Sequence, residues 1–273
     1  MTWRAELAAA LGPIAHATAV AGGDVNEAWR VELADGARLF VKTHAAPPPG
    51  LYAAEAAGLA WLAGGALRVP RVIAAGERFL ALEWLALGPR GADFDAAFGR
   101  QLAALHARGA PRLGLDGASY LATLAQDNAA APDVATWWVE RRLRPTIARL
   151  ADRACFDRAL DRLAALPDRF GPAEPPARLH GDLWWGNVGA CDGAPVIFDP
   201  AVYGGPREID LAMLALFGPV SPRLIAAYED VWPLADGWRA RRAVWQLYPL
   251  AVHAVLFGGS YTGQLARGLD ALT

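Results

Sequence analysis

One stretch, Arg178 to Pro200, narrows what this chain can fold into more than any other. It runs Arg178-Leu-His180-Gly-Asp182-Leu-Trp184-Trp185-Gly-Asn187, then a short strand and a turn at Asp192-Gly193. A second strand carrying Val196-Ile197-Phe198 follows and stops at Asp199-Pro200. An Asp-Gly pair between two apolar runs is a hairpin signal. A hairpin between Asn187 and Asp199 would bring the oxygens of Asp182, Asn187 and Asp199 into one cleft. Taken singly, each residue reads as a polar loop or a strand-end turn. Taken in this order and spacing, they are the parts that phosphoryl transfer from a nucleoside triphosphate requires. One carboxylate orients and deprotonates a hydroxyl, while an amide oxygen and a second carboxylate hold magnesium.

The cations are unevenly chosen. Of 26 Lys+Arg, the only lysine is Lys42. Where a surface cation is interchangeable this sequence uses arginine, so the surviving lysine marks a place where a forked, planar guanidinium does not serve. Lys42 ends the third of three predicted strands: 15–21, 27–33 and 38–42. The first two are joined by Gly22-Gly23-Asp24-Val25-Asn26 and the last two by Asp35-Gly36. Glycines in the first turn let backbone N–H groups approach a phosphate. The order of glycine turn, strand and terminal lysine is that of the kinase nucleotide site.

A Pro-rich loop, 45–50, precedes a predicted helix over 51–63 that carries Glu55. Spacing alone leaves Glu55 open between an exposed helix residue and the partner of the lysine. Strands are predicted at 69–75 and 78–85, and the backbone at Glu83 to Leu85 is the candidate edge for adenine. The Gly/Pro-rich connector at 84–91 then divides a strand-rich lobe, residues 1–86, from a helical one, residues 87–273. Helices are predicted at 2–11, 93–107, 117–128, 134–150, 154–166, 207–217, 221–231, 239–257 and 260–271. Trp137 and Trp138 read as core, Arg141 and Arg142 as solvated, His106 as a packing or capping residue, and Asp93 and Asp95 as a helix N-terminal charge pair. The fold class is therefore α+β: a small antiparallel sheet with a helix, joined to a large helical lobe.

Bulk properties exclude several function classes. The formal net charge is −2, so there is no electrostatic footprint for nucleic acid or an anionic membrane. The longest apolar stretch, Val244 to Tyr261, contains Gln246, Pro249 and His253 and reads as a buried helix rather than a membrane span. Met1 to Ala17 has a signal-like outline, but Glu6 and Pro13 break it. Cys155 and Cys191 have no metal or redox spacing, and a reducing cytoplasm is the simplest compartment. No obligate protein partner is implied.

With these residues in view, the chain resembles the fructosamine kinases, relatives of the aminoglycoside and choline kinases with the protein-kinase-like fold. The resemblance is carried by Leu179 to Asn187, Asp199-Pro200-Ala-Val-Tyr203 and Arg207-Glu208-Ile-Asp210-Leu-Ala-Met213. Further matches are Gly22 to Glu27, Phe40-Val-Lys42, Glu140-Arg-Arg-Leu143, Tyr228 to Leu234, and Gln246-Leu-Tyr248 with His253 and Phe257-Gly258. The resemblance implies transfer of the γ-phosphoryl of ATP, with Mg2+, to the 3-hydroxyl of a ketosamine, ribulosamines and erythrulosamines ahead of fructosamines. The product breaks down and frees the amine, which amounts to deglycation. It implies Asp182 as base, Asn187 and Asp199 as metal ligands, and Lys42 with Glu55 at the phosphates under Gly22, Gly23 and Asn26. Trp184 is either a wall of the sugar pocket or core, and His253 and Tyr203 are candidates for the acceptor side. Two alternatives are an aminoglycoside- or choline-type phosphotransferase and a non-catalytic nucleotide-binding protein. The kinase Arg before the base is Gly181 here, and few residues separate Asp199 from the helix near Glu208. A phosphorylated activation loop is therefore not expected. The Asp127-Asn128 region departs from the family pattern at the acceptor side.

Overall fold

The computed structural model describes residues 2–20 and 26–273. The expected phosphate-covering glycines, Gly22 and Gly23, lie outside the described residues. The smaller lobe is a five-stranded antiparallel sheet in the order β1-β2-β3-β5-β4. Its strands are β1 (Ile14–Val20), β2 (Glu27–Leu33), β3 (Arg38–Thr43), β4 (Val72–Ala75) and β5 (Phe79–Glu83). Helix α1 (Trp3–Leu11), capped by Thr2 through the Ala5 N–H, covers one face. Helix α2 (Leu51–Leu62) covers the other.

The period-2 alternation of β3 decides where its residues go. Leu39 and Val41 join the apolar cluster under α1. Phe40 packs on the opposite face with Leu51, Tyr52 and Leu59 of α2. Lys42 shares the Phe40 face, which aims its ammonium at α2. In register it lies opposite Ala28 of β2 and Leu80 of β5.

The larger lobe opens with α3 (Phe94–Ala107). The helix expected over 117–128 is not there; that segment forms a small hairpin, β6 (Tyr120–Leu121) and β7 (Leu124–Ala125), turning at Ala122 with φ 54. Helical periodicity was the wrong guide because tertiary anchors hold the segment extended. Asn128 Nδ2 donates to the Gly117 carbonyl and to Ser119 Oγ. Arg142 donates to the Asp127 carbonyl and to Asn128 Oδ1. Arg142, expected in solvent, is fully buried between the rings of Trp137 and Tyr203, at 4.7 and 4.4 Å from their centroids.

Arg142 lies in a π-helical turn, 138–143, inserted between α4 (Val134–Trp137) and α5 (Arg144–Ile147). Pro145 follows the turn. A proline lacks the N–H of the regular ladder and crowds the carbonyl four residues earlier, which the wider turn accommodates. Next comes α6 (Ala154–Ala164), whose Phe156, Ala159, Leu160 and Leu163 form one buried stripe. The stretch 178–200 supplies β8 (Ala177–Leu179) and the expected hairpin, β9 (Val188–Cys191) with β10 (Ala194–Ile197). Strand β11 (Tyr203–Gly205) pairs with β8. The chain closes with α7 (Glu208–Leu214), α8 (Pro222–Glu229), α9 (Trp238–Phe257) and α10 (Ser260–Leu272). Gly258 and Gly259, both at positive φ, separate α9 from α10, the break expected between 257 and 260.

The lobes are stitched together in several places. Arg68 bridges to Val196, and Gly58 of α2 lies against Val202. Arg108 and Arg178 of the larger lobe donate to the Leu62 and Trp61 carbonyls at the C-terminal end of α2, at 2.7 and 2.6 Å. Cations are the favoured partners for those otherwise unpaired carbonyls.

Candidate active site

Between the lobes lies a cleft of about 640 Å³. Its floor holds the predicted set. Lys42, 4 % exposed, donates through Nζ to Glu55 Oε1 at 2.7 Å and to Asp199 Oδ1 at 3.0 Å. Glu55 is thus the lysine's partner, the alternative that spacing left open. Asn187 Nδ2 donates to the Asp182 carbonyl at 2.9 Å, to Asp182 Oδ2 at 3.2 Å and to the Asp199 carbonyl at 3.4 Å. Lys42, Asp182, Asn187 and Asp199 therefore form one hydrogen-bonded constellation drawn from both lobes.

Local backbone explains the arrangement. Gly181 sits at φ 82, where a Cβ would run into the Ala201 carbonyl, so only glycine fits before Asp182. Asp199 itself adopts φ 58, a costly conformation for a residue with a side chain. Among the described residues the other non-glycine positions at positive φ are Ala122, also lining the cleft, and Asp192 in the hairpin turn. Strain of this kind persists where surrounding structure holds a functional group in place.

The loop is held from below by Asp210, a residue to which sequence reasoning gave no role. It is fully buried, accepts from the N–H of His180 and of Gly181 at 2.8 and 2.9 Å, and bonds His106 Nε2 at 3.1 Å. His106 in turn bonds the Tyr228 hydroxyl at 2.8 Å, so it is the packing residue that was expected. Burial would raise the Asp210 carboxyl, but these hydrogen bonds and the neighbouring histidines hold it below its ordinary range. The available signal was Asp210 itself: an acid in the apolar run Ile209 to Leu214.

Charge in the cleft is divided. Burial pushes the Asp182 carboxyl up to about 7, with the Asp199 carboxylate adding to the shift and the Asn187 hydrogen bond opposing it. Burial alone would lower Lys42, yet Asp199 and Glu55 outweigh it and keep the ammonium charged beyond the ordinary lysine range. Burial raises Glu55, and Lys42 offsets part of that rise. His180 is pushed down by burial; its Nε2–H donates to the Phe198 carbonyl and its Nδ1 accepts from the Asp182 N–H.

The donor set suits magnesium. Asn187 commits its Nδ2 to Asp182, which leaves its amide oxygen to offer a cation. Asp199 keeps a carboxylate that is 37 % exposed. Two hard oxygen ligands completed by phosphate oxygens are what a nucleotide-borne magnesium takes. Among the described residues no cluster of three His, Cys, Asp or Glu could hold a metal unaided.

Other predicted positions fall as follows. Asn26, Trp184 and His253 line the cleft. Tyr203 does not: it is fully buried against Trp137 and Arg142, and burial raises its hydroxyl, so its place on the acceptor side is corrected to the core. Glu83 and Leu85 lie at and just beyond the end of β5, outside the cleft lining. The Glu83 N–H is committed to the Arg71 carbonyl, and the Leu85 carbonyl accepts from Leu87. Sequence reasoning missed the β6–β7 hairpin as a cleft wall, together with Phe217 and Tyr261.

The chain is similar to known proteins over nearly its whole length. A sequence model of fructosamine kinases matches residues 3–273. A Thermus thermophilus protein named "probable ketoamine kinase" is 38 % identical over 252 residues, covering 92 % of this chain and 91 % of its own. A crystal structure named for a fructosamine-3-kinase of Thermobifida fusca superposes with a TM-score of 0.89 at 40 % identity, covering 99 % of this chain and 98 % of that one. An aminoglycoside phosphotransferase, solved with AMP-PNP and hygromycin B, superposes with a TM-score of 0.65 at 14 % identity over 100 % of this chain and 98 % of its own, a likeness of fold.

Proposed function

The chain belongs to the fructosamine kinase family, and from that premise we propose that it phosphorylates the 3-hydroxyl of ketosamines with ATP and magnesium. Ribulosamine and erythrulosamine adducts are the favoured acceptors, ahead of fructosamine, and loss of the phosphorylated adduct frees the amine. The observation that carries the reading is the linkage of Lys42, Asp182, Asn187 and Asp199 through hydrogen bonds of 2.9 to 3.4 Å.

Each residue has a task in it. Asp182 accepts the proton of the acceptor hydroxyl as that oxygen bonds to the γ-phosphorus. The bond from the γ-phosphorus to the bridging oxygen breaks, and ADP leaves with its electron pair. Lys42, steadied by Glu55, presents its ammonium to the phosphates, and Asn26 edges the segment proposed to cover them. Asn187 and Asp199 would hold magnesium, which supplies charge neutralisation at the β- and γ-oxygens. The nucleotide is proposed to sit between lobes 1–86 and 87–273 at the 84–91 hinge. Its adenine would lie along the Glu83 to Leu85 backbone. The Glu83 N–H is already used, so pairing falls to the rest of that segment. Free Cys155 and Cys191 fit a cytoplasmic setting, and no described helix is long and apolar enough to cross a membrane.

The test is magnesium-dependent ATP consumption with ribulosyl-lysine, fructosyl-lysine and kanamycin. Turnover on the two ketosamines, faster on the ribulosyl adduct, is expected. Turnover on kanamycin alone would move the acceptor to aminoglycosides, and ATP binding without turnover on any of the three would remove the activity.

A further inference from the structure

Of the exposed large apolar side chains among the described residues, the aromatic ones share one place, while Leu87, Leu166 and Val231 stand elsewhere. Trp184, Phe217 and Phe257 are 37, 38 and 51 % exposed, and all three line the same cleft. Exposed apolar surface gathered in one place marks a binding site. The rings form a continuous array. Trp184 meets Phe217 edge-on at 5.9 Å, Phe217 lies 5.1 Å from His253, and His253 lies 5.5 Å from Phe257 and 5.0 Å from Tyr261. The array is built from separate elements. Trp184 stands two residues past Asp182, Phe217 follows α7, His253 and Phe257 are one turn apart on α9, and Tyr261 begins α10.

Charge is distributed in the opposite way. Among the described residues lining the cleft, the carboxylates and the ammonium belong to Lys42, Glu55, Asp182 and Asp199, all in the phosphoryl-transfer centre. Among the described residues lining the cleft, the aromatic side offers no carboxylate for a second ammonium and no arginine for an acid. His253 is tied at Nδ1 to the Pro249 carbonyl, at 2.7 Å.

We infer that the rings of Phe217, Phe257 and Tyr261 form a subsite for the amine substituent of the acceptor. It selects apolar or aromatic amines carrying a single charge over acidic or polycationic ones. This rests on the ketosamine reading. Only a short carbon chain separates the reacting hydroxyl from the amine nitrogen. With the hydroxyl at Asp182 and the sugar beside Trp184, the substituent is carried onto the tray. A secondary ammonium over ring faces gains cation–π attraction, and an aromatic substituent stacks. A carboxylate would lose water there with nothing to replace it, and a second ammonium would meet no carboxylate among the described lining residues to offset the cost of its lost water.

The test compares the ribulosyl adducts of phenethylamine, glutamate and spermidine. kcat/KM for the phenethylamine adduct is expected to exceed the other two by about tenfold or more. Phe257→Ala and Phe217→Ala should each bring that ratio to about threefold or less, mainly through KM for the aromatic adduct. Both positions are partly exposed, so folding is not at stake, and an unchanged far-UV spectrum checks it. Equal efficiency on all three adducts, or a ratio that both variants preserve, overturns the subsite alone. Failure to phosphorylate any ketosamine, with ATP still bound, overturns the ketosamine reading and the subsite with it.

Discussion

Burial and the Asp199 carboxylate raise Asp182 to about 7, and a base must be ionised to work. Activity should therefore fall as pH drops through an acid limb lying between the ordinary carboxylate value near 4 and about 7, because bound cations lower the free-enzyme value. A pH profile of kcat/KM for the acceptor reads it; a flat profile down to pH 4 would deny Asp182 the role. Lys42 is held charged beyond the ordinary lysine range and contributes no limb in that window. Asp182→Asn should reduce kcat by about 10³-fold or more while ATP affinity stays within about threefold, since the proton acceptor is lost and the phosphate contacts remain. The native pKa lies above the unfolded one, so ionised Asp182 costs stability that grows from about pH 4 to about 7. The asparagine variant should gain about 2 °C or more in Tm at pH 8, with the gain shrinking towards pH 5. Lys42→Arg should lose most activity, because a planar fork cannot hold Glu55 and Asp199 as a compact ammonium does; wild-type kinetics in that variant would make the lone lysine incidental. Lys42, Asp182, Asn187 and Asp199 were legible because their chemistry demands both a residue type and a spacing. Arg142 was not: arginine defaults to solvent, and only the folded packing reveals three aromatic rings around it.

At the scale of elements, the seat of α2 governs the site. Gly58 packs on the segment that follows Asp199; a Cβ there would lie 3.2 Å from Val202 Cγ2 and 3.7 Å from Pro200. Alanine needs only a small shift of Val202 and gains about 1 kcal/mol of helix propensity, so Gly58→Ala should be close to neutral. Gly58→Leu should push α2 outward and draw Glu55 away from Lys42, lowering kcat/KM for ATP about tenfold in a protein that still folds. Steady-state kinetics beside a thermal melt check this; an active leucine variant would show that α2 needs no such seat. Most elements were legible from periodicity and turn residues: the strands at 27–33 and 38–43, the hairpin at Asp192-Gly193, and α3, α6, α8 and α9 within a few residues. The segment 117–128 was misread because its conformation is set by Asn128 and Arg142 rather than by its own pattern. Tyr120 from that hairpin reaches across to the Pro49 carbonyl at 2.8 Å, a long-range tie that local sequence cannot announce.

For the whole molecule, the two lobes bring one ammonium from a sheet and three oxygen-bearing side chains from a helical body to a single place. Arg68 bridged to Val196, and Arg108 and Arg178 on the end of α2, tie the two lobes to each other. The two-lobe plan was visible in the shift from strands to helices after Glu83. The aromatic wall of the cleft was legible only at Trp184 and His253; Phe217 and Tyr261 come to it from other elements, through tertiary packing. The most direct measurement is a crystal structure of the protein with Mn2+ and a non-hydrolysable ATP analogue, with the metal located by its anomalous scattering. The metal should lie within coordination distance of Asn187 Oδ1 and an Asp199 carboxylate oxygen, with Lys42 Nζ on the phosphates and Asp182 facing the γ-phosphoryl group. A metal and triphosphate bound away from Asn187 and Asp199 would contradict the account.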